Sequence, residues 1–180
     1  MEMGPEGRWS ENAEDVASVA RALGRRPLAR FEVVVRDAGG RPMVIRCHPL
    51  TRVAGRVEPF PTLHWLCCPA LVMSISELER AGGVMRARRL LEGDSRLRMG
   101  VEADHRACAA ARLAALGPGE REAVVRAGWL GALAERGIGG ARHPSAIKCL
   151  HAHYAHHLAV GGALGPWIEA ELTRQGASAL

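Results

Sequence analysis

A chain of 180 residues is long enough for one ordinary domain, and a domain of that size buries roughly 70% of its unfolded surface, so no disulfide staples are needed. Hydrophobic residues make up 48% of the chain and aromatics only 4%, which predicts a core of Ala, Leu and Val in closely packed helices. The net charge of +5 is almost wholly arginine, Lys148 being the single lysine; with the excess of Ala and Gly this reads as GC-rich codon usage, and without aromatic-basic stacking it argues against a nucleic-acid partner.

Residues 1–10 combine Gly, Pro and charge without periodicity and read as a flexible tail, with 11–180 as a single globular domain lacking internal repeats. The start of the chain lacks the basic segment and apolar stretch of a signal peptide, and no apolar run approaches a membrane span, so a cytoplasmic location without membrane contact is expected. Ser10 or Asn12 caps a first helix through Leu23, with Val16, Val19, Ala20 and Leu23 on one apolar stripe and Gly24 ending it. The period then changes to that of strands. The β-branched runs Phe31–Arg36 and Pro42–Cys47, joined by Asp37-Ala38-Gly39-Gly40-Arg41, predict a hairpin, and Thr62–Cys67 predicts a third strand beside it.

Cys68-Pro69 opens a helix that runs from Ala70 to Arg80, with Cys68 at or near its N-cap and Leu71, Ile75 and Leu78 turned inward. Further helical patterns cover Val84–Leu91, about Ser95–Leu116, and Gly119 through Val125. The glycine-rich segment Gly137–Gly140 lacks the preceding strand and the lysine-serine or lysine-threonine ending of a phosphate loop, and reads as a connector. Ser145 is the expected cap of a helix to about Val160, and a last helix spans Pro166–Arg174. The chain is thus expected to be α+β and predominantly helical, a helical bundle with a small N-terminal antiparallel β-hairpin or three-stranded sheet.

The chemistry is concentrated. Five cysteines in a chain without an export signal point to thiols or metal ligands, and four of eight histidines crowd into 148–157 beside Cys149. On a regular helix Cys149, His153 and His156 share one face, opposite Leu150, Tyr154 and Leu158; His151 joins Cys149 only if the first turn is irregular. Thiolate and imidazole suit zinc, and Cys68, at a helix N-terminus that favours thiolate, is the expected fourth ligand. No CxxC pair accompanies them, so the reading rests on clustering, and a polar helix face with two core cysteines is the competing account. Cys47, Cys67 and Cys108 sit in apolar runs and read as core. His105 shares a helical face with Cys108 and Arg112, and Lys148, at the start of its helix, can face an anion.

Pro59-Phe60-Pro61-Thr62-Leu63-His64-Trp65-Leu66-Cys67-Cys68-Pro69, Gly137-Ile138-Gly139-Gly140, and Lys148-Cys149-Leu150-His151-Ala152-His153-Tyr154-Ala155-His156 together resemble the bacterial domain-of-unknown-function family 501, from about Leu23 to Gly165. The resemblance implies that the family's two cysteines fall on Cys68 and Cys149, its motif histidines on His151 and His156, and a further helical histidine and arginine on His105 and Arg112. It selects His151 where helix geometry prefers His153. The chain departs from the family at Cys67, often threonine there, and at Leu164-Gly165-Pro166. It implies a shared site and fold but no substrate.

The leading expectation is therefore a metal centre, zinc or iron, drawn from Cys68, Cys149, His151, His153 and His156, with His105, Arg112 and Lys148 around it or holding an anion. If it is catalytic, metal-assisted hydrolysis is the expected class, with His105 or His153 moving protons. The alternatives are an interaction module held by a structural metal or thiol cluster, and a thiol redox protein using Cys68 and Cys149. Substrate, partner and oligomeric state are not written in the sequence.

Overall fold

The computed structural model describes Trp9 and residues 12–176. Apart from Trp9, the expected tail 1–10, with Ser10 as a cap, lies outside the described residues. The first helix, α1 (Ala13–Leu23), is capped by Asn12, whose side chain accepts the Glu14 N–H at 2.9 Å, and ends at Gly24 with φ +67°. That positive φ is the reason a glycine stands there.

Strands β1 (Ala29–Arg36) and β2 (Pro42–Val53) pair antiparallel. The turn between them is held by Asp37, whose carboxylate accepts the Gly39 and Arg41 N–H groups, each at 2.9 Å. Arg36 clamps Asp15 with two bonds of 2.9 and 2.8 Å and so fixes α1 against β1. Strand β3 (Arg56–Pro59) returns along the second half of β2, and β4 (His64–Leu66) pairs with its first half. The described sheet thus has four strands, one more than expected. β3 escaped notice because its side chains are mostly exposed, so it lacks the apolar alternation that marks a strand.

Eight α-helices are described. After α1 come α2 (Pro69–Arg80), α3 (Gly83–Gly93), α4 (Ser95–Ala114), α5 (Pro118–Arg126), α6 (Leu130–Ala134), α7 (Leu150–Val160) and α8 (Gly165–Arg174). Cys68 is the N-cap of α2 and Pro69 its first residue, with Leu71, Ile75 and Leu78 buried as the periodicity requires. The main core joins these to Ala87 and Leu91 of α3, Val101 of α4, Leu150 and Tyr154 of α7, and Ile168 and Leu172 of α8, closed on one side by Met43 and Val44 of the sheet. Helix α7 lies at the centre, against β4, α2 and α8.

Three features differ from the expectation: β2 runs on to Val53, six residues past Cys47, the short helix α6 stands where none was expected, and α7 starts late. The helix expected from Ser145 begins at Leu150, with Cys149 as its N-cap in extended conformation. The backbone before it is engaged elsewhere: the Ala146 carbonyl lies 3.1 Å from His105 Nε2, and the Ile147 carbonyl accepts two Arg88 bonds of 3.1 and 2.8 Å. Carbonyls held by α3 and α4 side chains are drawn away from a helical ladder, so the segment stays non-helical up to Cys149.

Candidate metal centre

Helix α2 places Val72, Ser76 and Glu79 on a single stripe, since they follow one another by four and three positions. That stripe faces the start of α7. The Glu79 carboxylate accepts the Leu150 N–H at 2.5 Å and so satisfies an amide that Cys149, which makes no side-chain capping bond, leaves open. With its sulfur not used for capping, Cys149 turns Sγ toward His151 Nδ1, 3.6 Å away.

His151 is fixed by its other nitrogen. Nε2 lies 3.1 Å from the Val72 carbonyl and 3.2 Å from Ser76 Oγ. Ser76 donates its own hydroxyl proton to that carbonyl at 2.7 Å, so both neighbours of Nε2 accept, and Nε2 carries the hydrogen. Nδ1 is then left to face Cys149 Sγ and, at 3.3 Å, Glu79 Oε1. Burial opposes a charge on the ring, but the Cys149 sulfur, the Val72 carbonyl and the Glu79 carboxylate together lift His151 to about 9.

Among the described residues, Glu79, Cys149 and His151 are the one group of His, Cys, Asp or Glu whose ligand atoms all lie within 4.8 Å of one another and can hold a metal ion. All three are half-buried. Cys149 and His151 also form part of the wall of a groove of about 400 Å³, with Leu23, Trp65, Leu66 and Val72.

The other residues singled out from the sequence stand elsewhere. Cys68 is a half-buried free thiol at the opposite end of α2 from Glu79, eleven positions away and hence roughly 16 Å along the helix axis, and is not in the group. His153 and His156 lie on the far face of α7 from His151 and are buried. His156 Nδ1 meets His64 Nδ1 at 3.3 Å, and the His153 ring packs edge-on against His105, 5.4 Å between centroids. Burial, reinforced by His105 and His156, pushes His153 down to about 3, and its Nε2 is buried without a hydrogen-bond partner.

His105 and Arg112 brace the backbone. His105 Nδ1 accepts the Ile138 N–H at 2.8 Å while Nε2 faces the Ala146 carbonyl. Arg112, fully buried, donates to the Leu133 and Arg136 carbonyls at 2.8 and 2.6 Å and contacts Cys108 Sγ at 3.7 Å. Lys148 is exposed, with Nζ near Gly140. His105 and Arg112 thus hold the backbone of Leu133, Arg136, Ile138 and Ala146 against α4, ahead of Cys149.

Glu79 was missed in the sequence. It stands in an ordinary amphipathic helix beside Glu77, and its one legible mark is that it continues the face of Val72 and Ser76. No spacing links it to Cys149.

A family model described as Protein of unknown function (DUF501) matches residues 33–169. No curated protein and no solved structure matches the chain.

Proposed function

The chain belongs to the DUF501 family, and on that premise we propose that it is a metalloprotein in which Glu79, Cys149 and His151 bind one zinc or iron ion for metal-assisted hydrolysis in the adjoining groove. The observation that carries the reading is the orientation of His151. Its Nε2–H is committed to the Val72 carbonyl and Ser76 hydroxyl, which leaves Nδ1, beside a sulfur and a carboxylate, as the nitrogen that would give up its proton to bind an ion. Metal-binding histidines characteristically tie their second nitrogen in this way, and an ion held by only three protein ligands would have room for water or substrate.

Each residue has a separate task. Glu79 is anchored by the Leu150 N–H, so its carboxylate is held in place before any ion arrives. Cys149, the N-cap of α7, makes no capping bond and offers its sulfur beside His151 Nδ1. Zinc held by such ligands would supply Lewis acidity and a bound water of pKa about 7. Cys149 and His151 line the groove, so a substrate held there would lie beside two of the three residues that would hold the ion. Cys68, His153 and His156, expected from the sequence as ligands, are outside this set.

Metal analysis of tag-free protein purified without chelator tests the reading. One equivalent of zinc or iron is expected, lost in Cys149→Ser and His151→Ala; metal-free wild type with an intact far-UV spectrum after incubation with either ion overturns it. A chelator that removes the ion without unfolding the chain separates a working centre from a structural one. The close Cys149–His151 contact favours one other reading, a thiol nucleophile paired with imidazole, marked by absent metal and rapid alkylation of Cys149 alone.

A further inference from the structure

The metal reading leaves open what enters the groove, and the walls of three cavities give a comparison. A cavity of about 580 Å³ between the β2–β3 hairpin and α5 includes Arg30, Arg52 and Glu120. Another of about 320 Å³ includes Arg88, Arg98 and Glu92. The groove of about 400 Å³ at Cys149 and His151 has no Asp, Glu, Lys or Arg among its lining residues. In a chain with 24 Lys+Arg and 19 Asp+Glu, a groove of that size without one of them is a distinctive surface.

The charges near it are turned to other uses. Arg25 lies over the Trp65 ring, 5.1 Å from its centroid. Glu79 is bonded to Leu150 N–H and faces His151. His64, which also lines the groove, is held neutral at ordinary pH: burial, then His156 and Arg46, push it down to about 3. The remaining wall is Leu23, Trp65, Leu66 and Val72, the small residues Ala22, Gly139 and Ala152, and the hydroxyl of Thr62. Besides His64, the polar groups of the wall are Thr62 and, at the reactive end, Cys149 and His151; along the Leu23, Trp65, Leu66 and Val72 side a phosphate, carboxylate or sugar hydroxyl sheds water without a partner, whereas an apolar body gains from each group it buries.

Building on the metal reading, we infer that the groove accepts a small substrate with an uncharged, apolar body, an acyl or aryl compound with on the order of a dozen non-hydrogen atoms in the groove, its reactive group lying at Glu79, Cys149 and His151. A body that is charged or rich in hydroxyls is disfavoured along the apolar side of the same wall.

The Cys149 thiol reports on the groove whether or not metal binds. The full chain is washed with chelator and treated with methyl, butyl and hexyl methanethiosulfonate, and with the sulfonate-ended and trimethylammonium-ended reagents. The thiolate attacks the reagent's thiol sulfur, a mixed disulfide forms and methanesulfinate leaves. Peptide mass spectrometry gives the rate at Cys149, normalised to glutathione. Burial of methylenes at about fourfold each sets the scale: the normalised rate should rise about tenfold or more from methyl to hexyl. Both charged reagents should trail hexyl, and Leu23→Arg should flatten the series. A flat series in the wild type, or a charged reagent in the lead, overturns the inference. Repeating the reaction with added zinc keeps the two ideas apart. Protection of Cys149 supports the metal centre, lack of protection counts against that centre alone, and the chain-length series is read in either case.

Discussion

Glu79 Oε1 stands 3.3 Å from His151 Nδ1, joining the last turn of α2 to the first turn of α7. The same oxygen accepts the Leu150 N–H, so Glu79 is at once a helix cap and a neighbour of the imidazole. Its part in the proposed metal centre is therefore separable from its contribution to folding by a change that keeps the shape and removes the charge.

Glu79→Gln retains an acceptor for Leu150 N–H but weakens the ligand. Metal affinity should fall by about tenfold or more while the urea midpoint moves little. Cys68→Ser, at the other end of α2, should leave metal content and affinity as in the wild type. Isothermal titration with zinc measures both, and loss of binding in Cys68→Ser with retention in Glu79→Gln would replace the proposed ligand set.

Arg112 carries a buried charge whose bonds go to the Leu133 and Arg136 carbonyls. Burial lowers its pKa, partly offset by Cys108. Arg112→Met fills similar space and orphans both carbonyls, so stability should drop by about 3 kcal/mol in urea unfolding. An unchanged midpoint would show that these carbonyls find water instead.

Gly137 packs on His105: a Cβ at this position would stand 2.3 Å from His105 Nδ1, the atom that accepts Ile138 N–H. Gly137→Ala should displace the ring, break that bond and cost about 2 kcal/mol. The nitrogen chemical shifts of His105, compared with wild type, should report Nδ1 losing its donor. A variant with wild-type shifts and stability would refute the close packing.

The His64–His156 contact predicts acid sensitivity. Two Nδ1 atoms at 3.3 Å share a hydrogen bond only while one ring keeps a bare nitrogen. Burial, with His156 and Arg46, pushes His64 down to about 3, and burial likewise lowers His156. An unfolded histidine titrates near about 6.5, so at lower pH the unfolded chain binds protons that the folded chain refuses. The stability from these neutral rings is complete above that value and is lost as the pH falls toward 3. Urea midpoints should decline steadily from neutral pH into acid, and His64→Phe should decline less. Parallel curves for the two proteins would count against the pair.

Much of the fold was legible because local rules carried it. Asn12 and Gly24 bound α1, Cys68-Pro69 opens α2, and the glycine turn after Asp37 sets the β1–β2 hairpin, each a matter of neighbouring residues. The start of α7 was not. Ser145 has the chemistry of a cap, but Arg88 and His105 take the carbonyls that a helix from Ser145 would need, and those side chains come from distant segments. The site divides in the same way. Cys149 and His151 were visible as part of a crowded segment, whereas helix periodicity alone paired Cys149 with His153 and His156.

The sequence by itself determined the α+β class, the helical stripes that build the core, and the concentration of sulfur and imidazole around Cys149, since composition and periodicity act over a few residues at a time. Only the tertiary structure decided that Cys149 stays outside the helix, that His151 turns toward it, and that Glu79 is the group completing the cluster. The physical reason is that a metal-sized cluster is fixed by distances between side chains on separate helices. Those distances follow from how α2 packs on α7, and no spacing along either segment records them.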